Sequence, residues 1–248
     1  MKKLLIVLGV LLGLGLVGIA VMSLFLGNIV AAGVNTFGPK VTQTKVKLTS
    51  ATISPLTGNG ALHGLVVGNP AGWSKNNLCS LGKIHLSVAP FSLLGDHIVL
   101  NEVFIDEPEF NYETKFVSSN IADLLKNIEA VTGGKNTPSA VTKSGTPIKF
   151  EVKKFRLQHG WVRLGVGPAA IKLPMPPIEL NDLGTAEGGI SPDQIVFAVM
   201  KSVTGSIVGA TTAAAGKIGS TAGAAAVEGA KKTVDGIKNL FGGDKKKP

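Results

Sequence analysis

The chain has a single cysteine, Cys79, among 248 residues. No intramolecular disulfide can hold it, so the fold rests on packing. A lone thiol is more often a small buried apolar residue than a nucleophile. Aromatic residues are scarce: 5% of the chain, with two tryptophans and one tyrosine. The formal net charge is +9, but there is no aromatic-and-basic platform, zinc-ligand spacing or basic recognition helix. Nucleic acid is therefore not the expected partner. The charge fits a solvated surface drawn to anionic lipid head groups. The sequence also lacks G-x-S-x-G, G-x-x-x-x-G-K-[ST], and G-x-G-x-x-G between a strand and a helix.

What chemistry-bearing residues there are lie scattered. His63, His85, His97 and His159 have no neighbours at metal-ligand spacing. Ser92 beside Asp96 and His97 is a hydrolase triad only in sequence, without the geometry such a site needs. Asp106, Glu107 and Glu109 flank Pro108 at a strand end, where solvated charges are common. No catalytic, cofactor-binding or metal site is expected, and no cofactor; the reading is a non-enzyme.

Charge is absent altogether between Lys3 and Lys40. Residues 4–26 read LLIVLGVLLGLGLVGIAVMSLFL, enough helix to cross the roughly 30 Å hydrocarbon core of a bilayer. A cleaved signal peptide has a shorter apolar core, of about 7–15 residues. Length favours an anchor, although cleavage after a small residue near Ala20 or Ala32 also fits. Lys2 and Lys3 on the near flank favour an N-terminus inside, while Lys45 and Lys47 blur that bias. Gly9 and Gly13 have the spacing of a small-residue packing motif, but glycine is also common in membrane helices.

Residues 33–38 read as a juxtamembrane linker. Period-two patterns then predict strands around Val46 and Leu48, over 62–67, 82–89 and 97–106, an edge strand over 108–113, and further strands around 148–157 and 161–166. The run HIVLNEVFID at 97–106 is apolar in both phases: Ile98, Leu100 and Phe104 in one, Val99, Val103 and Ile105 in the other. Both of its faces must be covered. The phase reverses between Val152 and Phe155, which predicts a β-bulge near Lys153 and Lys154. Pro174, Pro176 and Pro177 confine the last strand segment to a sheet edge. Ile121, Leu124, Leu125, Ile128 and Val131 predict an amphipathic helix, capped by Ser119 or Asn120 and ended by Gly133 and Gly134. Ser191, Pro192, Asp193 and Gln194 open a second helix, with Ile195, Val199, Val203 and Ile207 on one face. From Gly205 the Gly/Ala-rich composition predicts interruption. A later stripe, Val227, Ala230, Val234, Ile237 and Phe241, fits a helix lying on a membrane, one packed on the sheet, or a disordered tail.

The expected class is mainly β with helices: a transmembrane helix, a curved antiparallel sheet with one amphipathic helix, and a C-terminal helical tail. The divisions are 1–39 (anchor and linker), 40–190 (β-rich body) and 191–248 (helix and Gly/Ala/Lys-rich tail).

Several stretches carry a resemblance: GNGAL at 58–62, GNPAG at 68–72, LGKIHLSVAPFSLL at 81–94, HIVLNEVFIDEPEFNYE at 97–113, Asn120-Ile121 opening a helix, and ELNDLG at 179–184. In these the chain resembles the AsmA-like envelope proteins. The resemblance implies an inner-membrane anchor, a periplasmic curved sheet, and kinship with bridge-like grooves that carry lipid. About ten strands at roughly 4.8 Å make only a short groove.

The expected function is thus a bacterial inner-membrane, single-pass envelope protein. It contacts or transfers lipid in envelope maintenance, with Ile98, Leu100 and Phe104 as lipid-contacting residues and membrane lipid as partner. The alternative is a structural scaffold that binds a protein partner in the envelope.

Overall fold

The computed structural model describes residues 2–115, 118–132, 145–167 and 170–218. The C-terminal stripe at 227–241, the polar loop at 133–144 and the proposed helix stop at Gly133 and Gly134 lie outside the described residues.

The first element is one helix, α1 (Lys2–Thr42), of 41 residues, or about 60 Å. It runs straight through the expected linker, residues 33–38. Pro39 sits in its last turn, Thr42 Oγ1 donates to Gly38 O at 2.8 Å, and Gln43 takes a left-handed conformation (φ 53°) that stops the helix.

The sheet segments follow: β1 (Val46–Lys47), β2 (Ser50–Ile53), β3 (Asn59–Gly68), β4 (Asn77–Val88), β5 (His97–Asp106), β6 (Glu109–Tyr112), β9 (Lys149–Gln158), β10 (Trp161–Leu164), β11 (Ile171–Pro174) and β12 (Ile178–Leu183). A separate small hairpin is made by β7 (Thr114–Lys115) and β8 (Ser118–Ser119). Register joins the ten segments into six long paths. One residue offset pairs His97 with Lys149 and still pairs Tyr112 with Leu164, so β5–β6 and β9–β10 are two bent strands side by side. The return path pairs Leu164 with Ile171 and Val152 with Leu183. The bend falls where Glu107 (φ 49°) and His159 (φ 52°) both adopt left-handed backbone; Glu107 N donates to Gln158 O at 3.1 Å across it.

Two features of this topology correct the sequence reading. The β5–β9 and β6–β10 pairings are parallel, so the sheet is mostly, not wholly, antiparallel. A parallel neighbour needs a long crossover, here the stretch carrying α2 (Asn120–Thr132). Side-chain alternation reports which face a residue takes and is silent on strand direction. For the same reason β6 is no edge strand: it lies between β4 and β10. The expected proline-rich edge is correct, since β11 and β12 are outermost. The helices carry more residues than the strands, which makes the chain mixed α/β rather than mainly β.

One face of the sheet carries a core of Ile84, Ile105, Val152, Phe155, Leu157 and Ile178. Burial along β9 reverses phase between Val152 and Phe155, but the expected bulge near Lys153 is absent. β9 keeps one register with β5 and with β12 on both sides of it, and the shift falls instead between β4 and β5, where Ser87 pairs with Glu102 and Val88 with Leu100. That shift turns both Leu100 and Val103 toward the core. This corrects the reading of β5 as apolar on both faces. The extra residue Asn101 in the β4–β5 pairing brings the two phases to one side.

The last helix, α3 (Pro192–Ile218), completes a helical layer. α2 buries Ile121, Leu124, Leu125 and Ile128, the face expected of it. Ser119 Oγ caps it by accepting Ala122 N–H at 3.2 Å. α3 opens with Gln194 Oε1 accepting Ser191 N–H at 3.0 Å, half of a capping box. It is not interrupted at Gly205, and it buries Val203, Ile207 and Val208. α1 lies over β1 and β2, α2 beside it, and α3 over β9 to β12.

Candidate membrane-facing site

α1 divides by exposure. Between Ile6 and Phe25 most of its described large side chains face outward; Leu14, Leu16 and Leu24 are each about two-thirds exposed. The helix over Gly9–Thr42 is long and apolar enough to cross a membrane. α3 passes the same test of length and hydropathy, but its Val203 and Ile207 are buried in the core.

The C-terminal half of α1 is part of the body. Ser23 Oγ donates to Ile53 O at 2.8 Å. Gly27 lies so close to β2 that a Cβ there would sit 2.1 Å from Ala51 O. Asn35 makes a two-bond amide pair with the backbone of Leu48: its Nδ2 donates to Leu48 O at 3.1 Å, and its Oδ1 accepts Leu48 N–H at 2.7 Å. Leu48 lies between β1 and β2, so Asn35 serves the backbone where the strand is broken. Asn127 Nδ2 of α2 donates to Thr42 O at 3.2 Å, fixing the far end of α1. From Ser23 onward the helix is bonded to the sheet edge without an intervening hinge.

The three residues expected to contact lipid do not form one surface. Leu100 lies in the core, opposite Val88 and Val152 in register. Ile98 is half-buried and pairs with Phe150. Phe104 points to the other face. Its ring centroid lies 6.1 Å from that of His85, and the Arg156 guanidinium sits 4.8 Å above it. Arg156 in turn holds Glu102 through Nε at 2.7 Å and Nη2 at 2.6 Å. Lys154 pairs with Glu179 at 3.2 Å. The helix-free face of the sheet is thus charged, and the apolar face lies under helices.

The histidines stay apart. His97 faces Glu151 at 3.4 Å, and His159 Nδ1 meets Asp106 at 2.6 Å. Ser92 Oγ donates to Ala89 O at 2.7 Å and accepts Val99 N–H at 3.0 Å, so its hydroxyl braces a turn. Among the described residues no three His, Cys, Asp or Glu side chains come together as a metal site. Open hollows lie among the described residues, and two of them border residues named above or nearby. One, of about 630 Å³, lies at the bend beside Glu107, His159, Trp161 and Met175. The other, of about 380 Å³, is bordered by Trp73, Ser74, Glu113 and Lys115.

Glu113 belongs to a buried polar network that the sequence reading missed. It accepts from Asn69 Nδ2, Ser74 N and Ser74 Oγ. Asn120, fully buried, accepts from the backbone of Glu113 and Ile121 and donates to Asn69 Oδ1 and Asn111 O. Trp73 Nε1 donates to Asp123 at 2.9 Å. The GNPAGW turn is thereby locked to the start of α2. Its signal was an asparagine at a helix start following an acid, which local reading takes for a cap alone. The Cys79 thiol is buried, which pushes its pKa up to about 12. That places it with packed, inert thiols.

No family model matches the chain, and no curated protein matches it significantly.

Proposed function

We propose that this chain is a membrane-anchored, non-enzymatic envelope protein that works by contact with the lipid surface. Its body is placed on the periplasmic side of a bacterial inner membrane, in keeping with the resemblance to AsmA-like proteins. One observation carries the reading: a single unbroken helix is exposed and apolar over one half and bonded to the sheet edge over the other. A flexible tether would let the body diffuse away from the bilayer. This arrangement holds it there in one pose. Contact is favoured over transport of acyl chains along the sheet, because the apolar sheet face is already covered by α1, α2 and α3.

The scaffold reading has its own support. Trp161, Val166 and Ile171 are exposed around the outer strand β11, in the half of the sheet away from β2's end. That edge suits a protein partner.

Photoactivatable phospholipid in membranes containing the full chain separates the two, with protease access in spheroplasts giving the side. Lipid adducts on the body beyond α1, together with protease cleavage of the body, are expected. A body that yields one dominant protein adduct and no lipid adduct outside α1 overturns lipid contact in favour of the scaffold.

A further inference from the structure

Among the described residues outside α1, the most exposed large apolar side chains are Phe91 (88%), Leu94 (79%) and Leu56 (66%). All three sit in two neighbouring connections. Leu56 is in the turn between β2 and β3, and Phe91 and Leu94 are in a short 3₁₀ turn, Pro90–Leu94, between β4 and β5. The two connections touch. Val88 N donates to Gly58 O at 2.9 Å. Gly58, at φ 71°, comes so near that a Cβ on it would lie 1.8 Å from Val88 O and 3.3 Å from Pro90 Cδ.

Their place relative to α1 follows from the contacts along β1 and β2. Gly38 lies against Val46, Asn35 pairs with Leu48, Gly27 meets Ala51, and Ser23 bonds Ile53. Numbers fall along α1 as they rise along the strand, so the two run antiparallel. The turn after Ile53 therefore extends beyond Ser23, toward the exposed apolar half of the helix. If the stretch from Ile6 to Phe25 fills a hydrocarbon core of about 30 Å, its boundary falls at the level of Ile53. The connections then stand at the interface itself.

They are also built to stay there. The 3₁₀ turn is closed by Ser92 N to Ala89 O (3.0 Å) and Gly95 N to Ser92 O (3.2 Å), and braced by Ser92 Oγ between Ala89 O and Val99 N. Residues three apart eclipse in such a turn, so Phe91 and Leu94 project together and away from the core. Residues 54–59 and 89–95 carry no charge, so no ionised group must be desolvated on entry. Bulky apolar and aromatic side chains on an uncharged rim beside a spanning helix are the chemistry of interfacial insertion.

We infer that Leu56, Phe91 and Leu94 enter the interfacial layer of the bilayer that α1 spans, giving the body a second attachment to lipid besides its anchor. The inference rests on reading α1 as the membrane span and holds for either orientation of the chain.

The test uses the full chain in phosphatidylethanolamine/phosphatidylglycerol vesicles. Phe91→Cys and, separately, Leu94→Cys are labelled with an environment-sensitive fluorophore; native Cys79 is buried and does not compete. The quencher is a phospholipid spin-labelled high on the acyl chain. Leu14→Cys reports the anchor and Val166→Cys the opposite end of the sheet. Quenching at 91 and 94 is expected to exceed that at 166 by at least about twofold, as for side chains in the interfacial layer. Quenching at 14 with none above the Val166→Cys level at 91 or 94 overturns the inference and leaves the anchor standing. No quenching at 14 overturns both. A blue-shifted label at 91 that lipid spins do not quench assigns the patch to a protein, a second copy included, and overturns it too.

Discussion

Gly27→Ala tests whether α1 and the sheet are one rigid piece. The added Cβ would lie 2.1 Å from Ala51 O, a backbone atom that no rotamer change can move. Relief requires α1 and β2 to separate by about 1 Å, which carries the Ser23–Ile53 bond from 2.8 Å beyond hydrogen-bonding distance. Overpacking of this kind costs about 1–3 kcal/mol and the lost bond about 1 kcal/mol. Replacing glycine by alanine in a helix returns about 1 kcal/mol. The net is a loss of about 1–3 kcal/mol, concentrated at the α1–β2 contact. Since each 1.4 kcal/mol is a factor of ten, local opening of β2 rises by roughly tenfold. Hydrogen exchange by mass spectrometry on the full chain in nanodiscs reads this directly in peptides covering 46–53. Gly9→Ala and Gly15→Ala, where nothing lies within 4 Å, serve as controls and leave β2 exchange unchanged. If Gly27→Ala leaves β2 protected as in the native chain, the helix does not rest on the sheet and the rigid coupling is wrong.

Three further outcomes follow from the packing. Asn120→Ala removes four hydrogen bonds at a fully buried position and leaves Asn111 O and Glu113 N–H without that partner. Chemical unfolding in detergent is expected to show a loss of about 3 kcal/mol. Cys79 is raised by burial from 9.0 to about 12, so the folded state holds its proton more tightly than the unfolded one. Its contribution is complete below about pH 9 and is lost as pH rises toward 12. At pH 10.5 the native chain should lose about 2 kcal/mol that Cys79→Ala does not; equal alkaline losses in both would refute the burial argument. His159 holds a left-handed backbone (φ 52°) that costs a β-branched residue about 1–2 kcal/mol. His159→Val should lower the unfolding midpoint, and His159→Gly should leave it unchanged or raised.

What the sequence showed and what it hid divide along one physical line. Local periodicity located β5 from His97 to Asp106, the buried stripe of α2, and the proline-marked outer strands. Each is set by residues adjacent in the chain. What escaped depends on partners distant in sequence. Residues 33–38, with Gly33, Asn35 and Gly38, have a composition that reads as a linker, and Gly27 precedes them. Gly27, Asn35 and Gly38 are helical for tertiary reasons. Gly27 and Gly38 let the backbone approach Ala51 and Val46, and Asn35 completes the broken strand at Leu48. Glycine marked close contact there, not flexibility. In β9 the phase reversal was legible, but its cause was not: β9, β5 and β12 slip together and keep register, and the extra residue, Asn101, lies in β5 against β4. Asn101 and Glu102 interrupt a run whose two phases are both apolar, and apolar residues on either side disguise the slip. The lipid-facing surface assigned to Ile98, Leu100 and Phe104 dissolved with it.

That dissolution bears on how lipid is met. An acyl chain lying on the apolar sheet face would have to displace a helix. Lifting α3 alone exposes Val203, Ile207 and Val208, with Ile195, Val199 and Met200 packed beside them. At about 1.5–3 kcal/mol for each side chain, the cost is on the order of 10 kcal/mol, as large as the whole stability of a typical domain. No acyl chain gains that much by leaving a bilayer whose interior is already hydrocarbon. Under the proposed lipid contact, lipid is met at the rim and along α1, where apolar side chains are already exposed and nothing has to open. The two routes leave different marks in the phospholipid photolabelling. Rim contact puts adducts in α1 and in residues 54–58 and 89–95, with Val203 and Ile207 unmodified. Adducts on those two core residues would mean that the helical layer opens, and the energetic argument against a groove would fail with them.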